Sequence, residues 1–342
     1  MKKLRMNLKD NSYDILIEEG ILNNLNELVK EVYSNKKVYI ITDSNVGPLY
    51  LEKIKSLLID FEVESITVKA GEASKSFDIY MEVMKKLIDL NIRRNELLIA
   101  LGGGVVGDLT GFIASTIYRG IPYLSIPTSL LSQMDSSIGG KTGIDFYERK
   151  NIVGAFKQPI RVIIDPATLN NLPQEEFKSG MGELIKHACI GNVALLEKLK
   201  KHPKIDEEII EQSLIVKKTV VEVDPFDQKE RMYLNFGHTF GHIIEMEKGL
   251  RHGEAVALGM LMAIKFGIDL GLTKENCYKD LKDILDGYGM LSYDIDYKKY
   301  LHDTIYDKKN LAGKLNFILI EDFGKVFTKT FREDDIINEC KN

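Results

Sequence analysis

The chain has few cysteines, no large charge excess of either sign and no long apolar run. Cys189, Cys277 and Cys340 form an odd set without Cys-x-x-Cys spacing. That pattern excludes a disulfide framework and a thiolate zinc site, and it suits a reduced, cytoplasmic setting. The formal charge is −5 over 342 residues, so the chain lacks the basic excess that a nucleic-acid surface or an anionic membrane requires. The longest apolar run, residues 255–264, stops at Lys265 and is too short to span a bilayer. Residues 1–10 alternate charged and apolar side chains, without the apolar centre and small-residue cleavage site of a secretory leader. What the chain does have is 44% hydrophobic content, enough for a full core, and a length that suggests about two domains.

The first half alternates two periodicities. Residues 13–17, 37–42, 61–68, 96–101 and 161–164 read as strands, and residues 49–59, 77–90 and about 108–116 carry apolar residues at helical spacing. This βαβ rhythm predicts a largely parallel sheet. Pro122, Pro127, Pro159 and Pro166 punctuate short apolar segments, and after Pro173 the character changes. Residues 175–201, 205–223, 238–248, 254–270 and 274–286 all have helical spacing, with few strand candidates. The expected organisation is an α/β domain over residues 1–170 and a mostly α-helical domain over 171–342, without internal repeats.

Gly102-x-Gly104-x-x-Gly107 matches the dinucleotide fingerprint, placed straight after a strand and at a helix start. There, backbone N–H groups and the helix dipole can hold a pyrophosphate, which makes the first domain Rossmann-like. A glycine cluster can also simply permit a tight turn. The usual acidic companion about 20 residues on is missing. Asp43, closing the 37–42 strand, has the right chemistry for the ribose, or is an ordinary helix cap. Gly71-Glu72-Ala73-Ser74-Lys75 is a second polar strand end.

Of six histidines, His238, His242 and His252 fall close together. His238 and His242 lie one helical turn apart, His252 opens the next helix, and Glu183 and His187 share another helix face at i, i+4. A catalytic zinc needs three N/O ligands and an open position, so one carboxylate with two of these imidazoles suffices. Spacing alone does not choose between His242 and His252, or exclude His187. Any one of them could be a core or capping histidine. His202 and His302 read as surface residues.

Residues 119–161 hold six basic side chains (Arg119, Lys141, Arg149, Lys150, Lys157, Arg161) against Asp135, Asp145 and Glu148. In an acidic protein this local net of +3, read as loops around Pro127-Thr-Ser-Leu and Ser136-Ser-Ile-Gly-Gly-Lys141, can bring ammonium and N–H groups to a phosphate or carboxylate. Arg149 and Lys157 fit a solvated face better.

Four ordered strings carry a resemblance over nearly the whole chain. They are Gly102-Gly-Gly-Val-Val-Gly-Asp108, Pro127-Thr-Ser-Leu-Leu through Asp135-Ser-Ser-Ile-Gly-Gly-Lys141, Leu234-Asn-Phe-Gly-His-Thr-Phe-Gly-His242 and His252-Gly-Glu-Ala-Val-Ala257. All are similar to signatures of the 3-dehydroquinate synthases, within the sugar phosphate cyclases. The resemblance implies zinc, with cobalt as an alternative, on Glu183, His238 and His252, and gives His242 a substrate-side acid/base role. It implies NAD on Asp43, Gly71, Glu72, Lys75, Gly104, Val105, Asp108, Thr128, Ser129, Lys141, Lys150, Thr168 and Asn171. A phosphorylated sugar acid is implied on Asp135, Lys141, Asn151, Lys186, Lys217, Arg231, Asn235 and Lys308 or Lys309, with Arg119 reaching the phosphate across a homodimer interface. Three residues depart from the pattern: Asp145 for the common asparagine, Lys229 for a glycine, and Tyr306. The implied reaction turns 3-deoxy-D-arabino-heptulosonate 7-phosphate into 3-dehydroquinate and phosphate, as in the shikimate route to aromatic amino acids. Its steps are transient oxidation by NAD, β-elimination of phosphate, reduction, ring opening and aldol closure. The competing expectations are a sister cyclase such as 2-deoxy-scyllo-inosose synthase, a metal-dependent alcohol dehydrogenase, or a catalytically idle NAD-binding protein.

Overall fold

The structure is a computed structural model that describes residues 1–147, 149–227, 229–290, 293, 296–301, 303–304, 314–332 and 336. His302, Tyr306, Lys308, Lys309 and Cys340 therefore lie outside the described residues. By its internal contacts the chain forms two compact units, Met1–Leu172 with Asp206–Glu211, and Pro173–Ile205 with Gln212–Asn342.

The first unit runs β1 (Lys2–Met6), β2 (Tyr13–Ile17), α1 (Leu25–Lys30), β3 (Lys37–Asp43), α2 (Gly47–Leu57), β4 (Glu62–Val68), α3 (Phe77–Asp89), β5 (Leu97–Gly102), α4 (Gly104–Thr116), β6 (Tyr123–Pro127), β7 (Lys141–Phe146), β8 (Arg149–Phe156) and β9 (Arg161–Ile164). Seven strands form one sheet in the order β1-β2-β9-β6-β5-β3-β4. The β1–β2 pair is antiparallel and every other pairing is parallel. Strands β5, β6 and β9 are buried along their whole length, because crossover helices cover both faces of a parallel sheet and leave no polar side. Alternate side chains feed two cores. Tyr39, Ile41 and Leu98 pack with Val83, Leu87, Leu109 and Ile113 of α3 and α4, while Val38, Ile40, Leu97 and Ile99 pack with Leu25, Leu28 and Ile54 of α1 and α2.

Two local expectations change here. Helix α4 starts at Gly104, so Gly104 and Gly107 lie within it; the Gly107 N–H already donates to the Gly103 carbonyl at 3.0 Å. Residues 141–156, expected as part of a loop-rich island, form the antiparallel hairpin β7–β8. Its β7 strand buries three consecutive residues and its β8 strand is largely exposed, so they give little period-2 signal.

The second unit runs α5 (Gln174–Gly191), α6 (Val193–Leu199), α7 (Glu207–Val223, whose first residues group with the first unit), α8 (His238–Lys248), α9 (His252–Asp269), α10 (Asn276–Gly287), α11 (Tyr297–Leu301), β10 (Lys314–Asp322) and β11 (Lys325–Arg332). The single helix expected over 175–201 is two, because Asn192 leaves helical geometry (φ −149°) and its Oδ1 accepts the Leu195 N–H at 3.0 Å, capping α6. The β10–β11 hairpin was not anticipated in a region read as helical. It turns at Gly324, where φ is +78°. The apolar run at 255–264 is buried in α9, at the centre of this unit. Among the described residues no helix is long and apolar enough to cross a membrane.

Candidate active site

Helices α5, α8 and α9 bring three side chains to one point. Glu183 Oε1 stands 3.5 Å from His238 Nε2 and 3.4 Å from His252 Nε2. Two donors each about 2.1 Å from a tetrahedral ion lie roughly 3.4 Å apart, so this carboxylate and these imidazoles have the chemistry and spacing of a three-ligand N/O site. Each ring is also held from behind. His252 Nδ1 is 3.0 Å from Glu245 Oε2, and His238 Nδ1 is 3.3 Å from the Phe236 carbonyl. A hydrogen bond at Nδ1 fixes the tautomer that leaves Nε2 as the electron-pair donor, the usual arrangement behind a metal-bound histidine.

The electrostatics agree. Burial, and after it the charge of Lys186, holds His238 well below the ordinary imidazole range despite Glu183, so its ring is neutral near pH 7. Burial also lowers His252, but hydrogen bonds and charge from Glu183 and Glu245 outweigh it and push the ring up to about 9. A setting that favours a proton between two carboxylates equally favours a cation there.

The approach of these helices depends on glycine. A Cβ on Gly253 would lie 1.7 Å from the Ser179 carbonyl oxygen, and one on Gly182 would lie 2.1 Å from that of Gly253. These two glycines let α5 and α9 touch backbone to backbone, directly beside Glu183 and His252. Gly237 and Gly259 do the same between α8 and α9, where a Cβ on Gly259 would lie 2.0 Å from the Gly237 oxygen.

The second unit also buries three cations: Lys186, Lys217 and Arg231 are 2%, 6% and 3% exposed. Lys186 pairs with Glu183, and the Arg231 guanidinium donates to the Pro225 carbonyl at 2.9 Å. Asn235 is half-buried just before α8. The His242 ring stands 5.4 Å from that of His238 and 6.2 Å from that of His252, beside the converging donors and not among them. His187 is fully buried, with Nδ1 2.8 Å from Ser213 Oγ. At Lys229 φ is −147° and ψ −101°, and its N–H donates to Asp224 Oδ2 at 2.6 Å.

In the first unit, most of the residues expected at NAD lie at the carboxyl ends of parallel strands, where ligands of such sheets sit, while Asp108 is inside α4 and Lys141 and Lys150 are on the antiparallel hairpin. Asp43 ends β3; Gly71, Glu72 and Lys75 follow β4; Gly104 and Val105 follow β5; Thr128 and Ser129 follow β6; Thr168 and Asn171 follow β9. Helix α4 has Gly103 as its N-cap residue and so no side-chain cap, which leaves its first N–H groups to meet an anion. Asp43 does act as a turn cap, accepting the N–H groups of Asn45 and Val46 at 2.8 and 2.9 Å. Lys75, 4% exposed, donates to Asp108 at 2.8 Å and to Asn151. Asp135 lies in a π-helical turn over Ser132–Ser136, and Lys141 and Lys150 stand exposed on β7 and β8. Arg119 is exposed with φ +67°, between Tyr118 at +51° and Gly120 at +123°, a strained turn of the kind kept where function requires it.

Several contributors have no signal in the sequence. Besides Glu245, Gln133 donates to Thr168 Oγ1 at 2.8 Å, and the Tyr50 hydroxyl donates to the Thr168 carbonyl at 3.1 Å while accepting from Asn171 at 2.9 Å. Only the fold brings these partners together.

The 3-dehydroquinate synthase N-terminal family model matches residues 65–179, and the 3-dehydroquinate synthase C-terminal model matches residues 180–310. The chain belongs to the 3-dehydroquinate synthase family. A curated 3-dehydroquinate synthase of Clostridium botulinum is 42% identical, covering 96% of this chain and 98% of that protein. One of Clostridium perfringens is 45% identical over 95% and 97%. Among solved structures, 2-deoxy-scyllo-inosose synthase complexed with carbaglucose-6-phosphate, NAD+ and Co2+ superposes with a TM-score of 0.88 at 24% identity, covering 99% of this chain and 98% of that one. The 2-epi-5-epi-valiolone synthase from Streptomyces hygroscopicus subsp. jinggangensis 5008, with NAD+ and Zn2+ bound, does so at 0.84 and 24%, over 98% and 97%. At that identity the structural likeness establishes the cyclase fold alone. Family membership makes the chain an enzyme of the cyclase type.

With Glu183, His238 and His252 read as a candidate cation site, Glu245→Ala is expected to weaken binding of a divalent cation there about 10- to 100-fold, because His252 loses the partner that fixes its tautomer. Competition against a graded chelator measures this, and an unchanged affinity would show that Glu245 is a bystander.

Proposed function

We propose that the chain converts 3-deoxy-D-arabino-heptulosonate 7-phosphate into 3-dehydroquinate and phosphate, a carbon–oxygen lyase reaction that uses NAD without consuming it. The observation that carries this reading is the meeting of Glu183, His238 and His252, each imidazole held from behind, in a chain of this family. We assign these three as ligands of a divalent cation, zinc or cobalt, and the strand-end residues of the first unit, with Lys141 and Lys150, to NAD.

When bound, NAD supplies a hydride acceptor and donor, and the cation supplies a Lewis acid that lowers the pKa of a substrate hydroxyl. The protein's own work is positioning and charge. Lys186, Lys217 and Arg231 offer fixed cations to the carboxylate and phosphate of the substrate, and burial strengthens each contact. Asp135, Lys141, Asn151, Asn235 and Lys308 or Lys309 complete the polar set in this reading. His242, next to the ligand imidazoles, is suited to carry a proton to or from a substrate hydroxyl. Arg119, presented on a strained exposed turn, fits a role at the phosphate of a partner subunit in a homodimer. Buried, reduced Cys189 and Cys277 suit the cytoplasm.

Phosphate release from this heptulosonate phosphate, with no net rise in reduced-nicotinamide absorbance, is the expected result. Steady accumulation of NADH would place the chain with the dehydrogenases. Phosphate release only from a non-carboxylated sugar phosphate would place it with the sister cyclases.

A further inference from the structure

The β7–β8 hairpin closes on itself around one side chain that has no assigned role, Asp145. Pairing along the hairpin is irregular between Ile144 and Phe146, which sets Asp145 off the ladder. Its backbone instead bridges the segment at Ser76, and its N–H donates to the Lys75 carbonyl at 2.7 Å. Its side chain turns the other way along the hairpin, where Oδ1 accepts the backbone N–H of Asn151 at 2.7 Å. Asn151 has φ +54°, a left-handed conformation that a residue with a side chain keeps only when its surroundings hold it there. From that backbone the Asn151 side-chain oxygen accepts a hydrogen bond from Lys75 Nζ, whose other partners are Asp108 at 2.8 Å and Glu72 at 3.5 Å. The three residues thus form a closed ring of hydrogen bonds, Lys75 backbone to Asp145, Asp145 to Asn151, and Asn151 back to the Lys75 ammonium.

We propose that Asp145 is a positioning residue for the reaction. By accepting the Asn151 N–H it holds that residue in its left-handed conformation, and through Asn151 it aims the Lys75 ammonium at the cofactor. The inference rests on the reading of Lys75 as an NAD residue and of Asn151 as a substrate residue. What the position must supply is an oxygen acceptor at the right reach, more than a charge. Lys75 stays protonated in any case, since the charges of Asp108 and Glu72 outweigh its burial and Asp145 adds less than either.

Two substitutions separate acceptor from charge. Asp145→Asn keeps an oxygen on the same branch and should rescue, with NAD affinity within about twofold of the original chain. Asp145→Ala loses the acceptor, releases Asn151 from φ +54° and should weaken NAD binding about tenfold, the loss expected for one hydrogen bond to a charged group. It should also raise the substrate KM more than it lowers kcat. Isothermal titration with NAD and steady-state kinetics on the full chain read both, with Lys75→Ala as the reference. If Lys75→Ala leaves NAD binding unchanged, the cofactor assignment itself falls. If Lys75→Ala weakens it while Asp145→Ala does not, the cofactor assignment stands and the positioning role is overturned. It is overturned as well if Asp145→Asn is as weak as Asp145→Ala. Should the alanine variant fail to fold, Asp145→Ser, whose oxygen is too short to reach the Asn151 amide, is held to the same tenfold loss.

Discussion

Replacing His252 with alanine is expected to leave the chain folded, empty it of divalent cation after dialysis, and lower kcat/KM by at least about 10³-fold, or about 4 kcal/mol in the transition state. The fold should survive because the His252 side chain is 35% exposed, so its removal opens no large cavity. The site should not survive, because Glu183 and His238 alone are too few donors for a cation that needs three. Metal content by atomic absorption, set beside the melting temperature, checks both halves. Normal metal content and rate in the variant would overturn the ligand assignment and, with it, the mechanism built on it.

The second large effect is expected at Gly253, which makes no contact with any ligand through a side chain. Gly253→Ala places a methyl 1.7 Å from the Ser179 carbonyl oxygen. A backbone oxygen on a buried helix cannot step aside, so α5 and α9 must separate. Overpacking of this kind costs about 3 kcal/mol, or a fall in Tm of roughly 4 °C for a chain of this size. Since Gly182 and Gly253 stand next to Glu183 and His252, the same movement should stretch the 3.4 Å between those donors and weaken the metal in step with stability. A thermal melt and a chelator competition on the same sample test the coupling. A variant that melts lower but binds metal unchanged would show that the helix contact serves packing alone.

Strand β2 and helix α8 end where periodicity puts them, since strand and helix spacing are local properties of the chain. The glycine fingerprint marks the β5-to-α4 turn for the same reason, although the helix starts at Gly104 and takes two of the three glycines inside. Asn192 broke a helix that spacing alone read as continuous, because a cap competes with the helical backbone only once the next turn has formed. The β7–β8 hairpin gives little strand signal because β8 is largely exposed and β7 buries three consecutive residues, 142–144, instead of alternate ones.

The histidine cluster was visible as residue types close in sequence, yet sequence spacing could not rank His242 against His252. That ranking depends on distances set between helices: Glu183 Oε1 on α5, and the acceptors at Glu245 and Phe236 that turn each Nε2 forward. By itself, then, the sequence determined the α/β-then-helical plan, the glycine turn, the buried apolar helix and the supply of donors and cations, all of which follow from local periodicity and composition. The tertiary structure alone decided which donors meet, because glycine-lined helix contacts and partners from distant parts of the chain exist only after packing has brought them together.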